Sequence, residues 1–334
     1  MTRQPAPALG RATRFERAQS RAALGRLRDR VVQPRTLVRY EAYIGWLFRV
    51  ALMALGEVLS TNAIDFDEQL CRVIDMAWEE GESRSLIADM LSGLAHKVHA
   101  LHGRLPGAWR LHAAWGRLEM PLRAWPLSPS QVLALAYVAL QWEMPDVSIA
   151  LLVQYDCILR TGEIILATAA DFQWGPGLSV LLSLHNTKGS ARKGAPECVA
   201  VESPLVMGML HWWLCEQRQP RLLARTSGDF RGIFNLLISE CALQGHFRPY
   251  SLRRGGATAH FQACGSLDRT AERGRWGNLR TARIYINTGL SDKSQQHQDA
   301  SCDHKVAHFS SAMRTLLLNS YRSNRQVMRG GRPF

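Results

Sequence analysis

The sequence predicts a mainly α-helical protein in two parts, with a small β-sheet inserted in the second. Three observations carry that expectation. Apolar residues recur at spacings of three and four through 34–120 with no alternating stretch; a segment holding Pro121, Pro126 and Pro129 then interrupts the pattern; and beyond it two β-prone runs, 178–184 and 198–201, sit among further helices. A chain of 334 residues suits two domains of ordinary size.

Residues 1–33 are rich in Arg and Ala and read as a basic flexible arm. They contain no apolar core of a secretory signal, and Glu16 and Asp29 interrupt the acid-poor pattern of an organellar transit peptide. The helical domain, 34–120, is punctuated at 60–62, 81–83 and 103–107, which leaves four helices. The first carries Leu37, Tyr40, Tyr43, Ile44, Leu47, Val50 and Ala51 as one apolar stripe, with Arg35, Arg39 and Arg49 on its other face. Phe66, Leu70, Val73 and Ile74 repeat the design, then Ile87, Leu91, Leu94 and Val98, then Trp109, Leu111, Trp115 and Leu118. The linker is 121–129. Ser128 caps the next helix, with Pro129 in the first helical position, where its missing N–H costs nothing.

Two apolar helices follow, 132–142 and 147–159. The runs 178–184 and 198–201 form a β-hairpin or small meander, joined by a turn-rich basic segment that includes 186–190. Helices resume at 204–217, 229–243, 251–264, 279–286 and 309–321, so that 130–322 is the second domain and 323–334 a basic tail. The last helix carries Phe309, Met313, Leu316 and Leu317 as a stripe, which docks either on its own domain or on a neighbouring copy.

Basic residues outnumber acidic ones by 41 to 28, a formal charge of +13, although the charged fraction of 21% is low. That imbalance points to a polyanionic partner, nucleic acid before an anionic membrane surface. No apolar run is long enough to span a bilayer, since Arg49 and Glu57 break the best stretch. The seven cysteines are odd in number, widely spaced and without Cys-x-x-Cys, the pattern of reduced core thiols in a cytosolic or nuclear protein with no zinc site. The phosphate loop, the His-Glu-x-x-His helix and the Gly-x-Ser-x-Gly elbow are all missing, which weakens ATP, zinc and acyl-transfer readings.

What remains is a set of donors and one nucleophile. Arg160 ends an apolar helix ahead of Thr161-Gly162-Glu163; alone, this reads as an ion pair or a cap. Lys188 sits in the hairpin turn. Only five residues are Lys against 36 Arg, and Lys, unlike Arg, releases a proton at working pH, so a rare turn lysine suits a general acid. Lys193 is a nearby alternative. Tyr250-Ser251-Leu252-Arg253-Arg254 opens a helix after Pro249, placing two guanidiniums at an end that attracts phosphate. Trp276 and Tyr285 lie nine residues apart and flank Arg280 and Arg283.

In this order the segments resemble the catalytic domain of the tyrosine recombinase (phage-integrase-like) family. Arg160-Thr161-Gly162-Glu163 matches its first arginine motif, Lys188 its hairpin lysine, Tyr250-Ser251-Leu252-Arg253 its His-x-x-Arg, and Trp276 with Tyr285 its His or Trp nine residues before the nucleophile. The departure is Tyr250, where the family usually has His but tolerates variation; a phenol still donates to a phosphate oxygen. The resemblance covers about 128–321, and the first domain is similar to the family's core-binding domain in character. It implies a helical core-binding-like domain followed by an α+β catalytic domain that breaks and rejoins DNA without metal, nucleotide or other cofactor. Arg160 and Arg253 would hold the non-bridging oxygens, Tyr250 and Trp276 would donate to them, Tyr285 would attack phosphorus, Lys188 would protonate the 5′ oxygen, and Glu163 would orient Arg160. The expected partners are double-stranded DNA, contacted by Arg35, Arg39, Arg49, Arg254 and Arg280, and further copies of the chain on DNA, with no membrane involved. The expected place is with DNA inside the cell, in the nucleus or in the bacterial cytoplasm. A DNA-binding relative that does not cut, a type IB topoisomerase or telomere resolvase, and a basic nucleoprotein without a site are the alternatives.

Overall fold

The computed structural model describes residues 13–22, 25–175, 179–185 and 197–330. The chain divides into two compact units, Met1–Leu122 and Arg123–Phe334. In the first unit the predicted breaks delimit the helices. Helix α1 is Arg14–Ala22, and α2, Pro34–Val50, runs into a π-helical turn, Ala51–Leu55, that stops at Gly56, whose φ of +63° suits glycine. Asn62 accepts from the Ile64 N–H (2.9 Å) to start α3, Ala63–Glu79, and Ser83 does the same for Leu86 in α4, Arg84–Lys97. Helix α5, Pro106–Leu118, is capped through space: Asp67 of α3 accepts from the N–H groups of Gly107 (2.8 Å) and Ala108 (3.0 Å). Leu47, Leu70, Ile74, Ile87, Leu91 and Trp115 make the core.

Helix α1 corrects the reading of 1–33 as an arm throughout. Its first turn is held by Glu16, which accepts from the Thr13 N–H (2.7 Å). The linker is corrected as well, because from Arg123 onward it belongs to the second unit. Trp125 donates its N–H to the His246 carbonyl (2.8 Å) and packs edge-on against Phe247 and His297.

In the second unit a capping box between Ser128 and Gln131 opens α6, Pro129–Gln141, followed by α7, Pro145–Asp156, and the short α8, Thr161–Leu166. Strands β1 (Phe172–Trp174), β2 (Val180–Leu184) and β3 (Glu197–Val201) form an antiparallel sheet in sequential order, with Leu182 between Phe172 and Val199. Val180, Leu182 and Leu184 point into the core, as period-two alternation requires. Then come α9 (Pro204–His211, extended by a π-helical turn Trp212–Glu216), α10 (Ser227–Glu240), α11 (Tyr250–Cys264), α12 (Leu267–Arg273), α13 (Leu279–Tyr285), α14 (Thr288–Gln296) and α15 (Ala300–Gly330).

Helix α15 runs on into the segment read as a tail. Its stripe docks on α6 and α9 of its own chain: Met313 and Leu317 are buried, Phe309 stacks on Tyr137 (5.7 Å), and only Leu316 faces out. Glycine permits the approach, since a Cβ on Gly208 would stand 3.1 Å from the Tyr321 Cα. Of the seven free thiols, Cys157, Cys241 and Cys302 are buried, whereas Cys198 and Cys215 are exposed and so are not the core residues expected. Among the described residues no helix is long and apolar enough to cross a membrane.

Candidate active site

Four elements of the second unit bring the site together. Helix α7 ends at Asp156, and Ile158 takes a left-handed conformation (φ +50°) before Arg160 begins α8. Glu163, one turn on, accepts twice from Arg160, from its backbone N–H (2.8 Å) and from Nη1 (2.5 Å). The carboxylate is buried and the guanidinium about one-third exposed, so Glu163 anchors a partly free donor. Arg253 comes from the first turn of α11. It is fully buried and donates to the carbonyls of Ile158 (2.5 Å) and Gly274 (2.6 Å), while Nε has no partner among the described residues. Burial, then the nearby charges of Arg160 and Arg275, pull it down to about 10, so it remains a cation at neutral pH.

Trp276 and Tyr285 roof this guanidinium, with ring centroids 4.9 Å and 5.5 Å from its Cζ. The two rings lie 4.6 Å apart, and with Ile158, Ala257, Ala271 and Ala282 they make a small apolar cluster. Trp276 lies over Gly274, where a Cβ would fall 2.0 Å from the indole ring. Asn278 caps α13, its Oδ1 accepting from the Thr281 N–H (2.7 Å), and the helix delivers Tyr285 at its end. The Tyr250 hydroxyl donates to that of Tyr285; burial first, and then this bond, raise the Tyr250 phenol above its ordinary range. The Trp276 Nε1–H is buried without a partner among the described residues.

Five of the residues singled out in the sequence, Arg160, Tyr250, Arg253, Trp276 and Tyr285, therefore meet around one guanidinium, with Glu163 behind them. Lys188 and Lys193 lie outside the described residues, in 186–196 between β2 and β3. Arg280 is exposed on α13, and Arg35, Arg39 and Arg49 are exposed on α2, where Arg39 pairs with Asp89 (3.3 Å). Arg254 does not lie on the surface: only 2% exposed, it has Nε and Nη2 unpartnered among the described residues, because 251–258 of α11 is buried throughout. Sequence reasoning missed Arg273 and Arg275. Arg273 holds the buried end of α7 through the Asp156 carbonyl (2.6 Å), and Arg275 meets Glu163 (2.6 Å). Arg273-Gly274-Arg275 stands directly before Trp276, and nothing in that residue order marks the two arginines as buried.

The fold is similar to that of solved site-specific recombinases and integrases. The chain is similar to the Tn1549 transposon integrase in complex with transposon right end DNA, with a TM-score of 0.55 at 14% identity over 84% of this chain and 96% of that one. It is similar to a lambda integrase dimer bound to a COC′ core site (TM-score 0.54, 14% identity, 85% and 77% covered). The XerH site-specific recombinase bound to its difH substrate aligns with a TM-score of 0.51 at 13% identity, over 79% of both chains. No family model and no curated protein matches the sequence.

Proposed function

We propose that this chain is a metal-independent DNA strand transferase of the tyrosine recombinase type, a site-specific recombinase or integrase of the kind mobile elements carry. The observation that supports it best is the convergence of Arg160, Arg253, Trp276 and Tyr285 within the fold that solved DNA-bound recombinases share. Two guanidiniums suit the non-bridging oxygens of a phosphodiester, where negative charge grows in the transition state. Tyr285 gives up its phenolic proton to solvent as Oη bonds to phosphorus, the bond from phosphorus to the 5′ oxygen breaks and that oxygen leaves with a proton, and the 3′-phosphotyrosine ester conserves the bond energy for religation. Lys188 supplies that proton.

Arg253 is fully buried beneath the rings of Tyr285 and Trp276, so a phosphate reaches it only after side chains around it rearrange. Double-stranded DNA is the partner, bound by several copies of the chain, and the protein acts where DNA is, in a nucleus or a nucleoid. The hydroxyl contact from Tyr250 to Tyr285 favours one other reading, a DNA-binding relative whose nucleophile is held back. A suicide duplex nicked beside the scissile phosphate separates the two. The enzyme traps a covalent adduct that is lost in Tyr285→Phe with binding retained; a wild-type chain that binds and never attaches is the non-cutting relative.

A further inference from the structure

Arg275 is a buried charged residue beside this site that the chemistry above leaves without a task. It is 8% exposed and its backbone is left-handed (φ +58°), a conformation that favours glycine, so a long cationic side chain stands where the main chain asks for none. The guanidinium spans three segments of the second unit. Nη2 donates to Glu163 Oε2 (2.6 Å), Nε lies 3.7 Å from Glu197 Oε2, and Nη1 reaches the Cys157 and Arg273 carbonyls at 3.5 Å each. Glu163 is thereby fixed from two sides. Its Oε1 takes Arg160 Nη1, and its Oε2 takes both the Arg160 N–H and Arg275. Glu197 is the first residue of β3, directly after the segment that holds Lys188. Trp276 follows Arg275 in the chain.

We infer that Arg275 is a positioning residue: by clamping the Glu163 carboxylate, with Glu197 as its second anchor, it sets the direction in which Arg160 is presented to the scissile phosphate. The inference rests on the strand-transferase reading. A guanidinium suits the task because its rigid planar fork presents several donors in fixed directions, whereas an ammonium is a point charge on a flexible stem. Burial alone disfavours the cation here and Glu163 opposes that effect, so the pair is held together by mutual need.

The test uses the full chain and the nicked suicide duplex, measuring DNA affinity and the rate of adduct formation at saturating DNA separately. Arg275→Gly removes the clamp and suits the left-handed backbone. It is expected to lower the saturated rate by at least about 10-fold with affinity within about threefold, since small misplacements of a donor cost rate before binding. Combined with Glu163→Gln it is expected to lose no more than Glu163→Gln alone, because the two act in series. Arg275→Lys, which keeps charge and fold, is expected between wild type and the glycine variant, and it decides the matter if Arg275→Gly lacks a cooperative thermal transition. A wild-type rate in the folded variants, additive losses in the double variant, or equal losses in affinity and rate would overturn the positioning role alone. A wild-type chain that forms no adduct overturns the strand-transferase reading and this inference with it.

Discussion

Arg253 is the residue around which the site is arranged, and its surroundings define what removing each neighbour should do. Arg160→Ala and Arg253→Ala should each cost about 10²-fold or more in adduct formation, the scale of losing one donor to a developing oxyanion, with smaller losses in affinity. Parallel losses in cleavage and binding would make these arginines DNA anchors only. Tyr250 offers a pH test. Burial and the bond to Tyr285 hold its proton above the ordinary phenol value of about 10. A folded value above the unfolded one contributes stability that is complete below about pH 10 and is lost as pH rises through the folded value. Unfolding the native protein at pH 11 should therefore release a burst of tyrosinate absorbance that shrinks by one phenol in Tyr250→Phe. An unchanged burst would place Tyr250 among the freely titrating tyrosines.

Among the elements, α11 is the most constrained. A Cβ on Gly255 would fall 2.1 Å from the Leu127 carbonyl oxygen, and one on Gly256 would fall 2.1 Å from that of Tyr155. The helix that carries Arg253 thus rests directly on main chain, and backbone gives way less readily than a flexible side chain. Gly256→Ala should destabilise the protein by about 3 kcal/mol or more, whereas Gly232→Ala on α10, with open space around it, should stabilise by up to about 1 kcal/mol, both read by denaturant unfolding. Long helices were legible because their stripes and caps agree: Asn62, Ser83 and Ser128 cap the helices the periodicity predicts. Helices α8 and α12 are too short for a period, and α14 has a single large apolar residue, Leu290, so each takes its shape from the packing around it. The constellation around Arg253 was legible as motifs in order. The arginines behind it were not, because neither the burial of Arg254 nor the left-handed turn at Arg275 leaves a mark in residue type.

For the whole molecule, charge is the dominant property. With 13 more basic than acidic residues, duplex affinity should fall steeply with salt, each neutralised phosphate adding roughly −0.9 to the log-log slope. Replacing Arg35, Arg39 and Arg49 together by Ala should flatten that slope by about 2 to 3 if the first unit grips DNA. An unchanged slope assigns binding to the second unit. The docking of α15 on its own chain bears on how copies come together. With Met313 and Leu317 already seated against α6 and α9, those two side chains are not free to recruit a partner. Any trade of this helix between neighbours must begin with its release, a first-order event, so the speed of assembly through α15 would level off as protein is added and climb sharply with temperature.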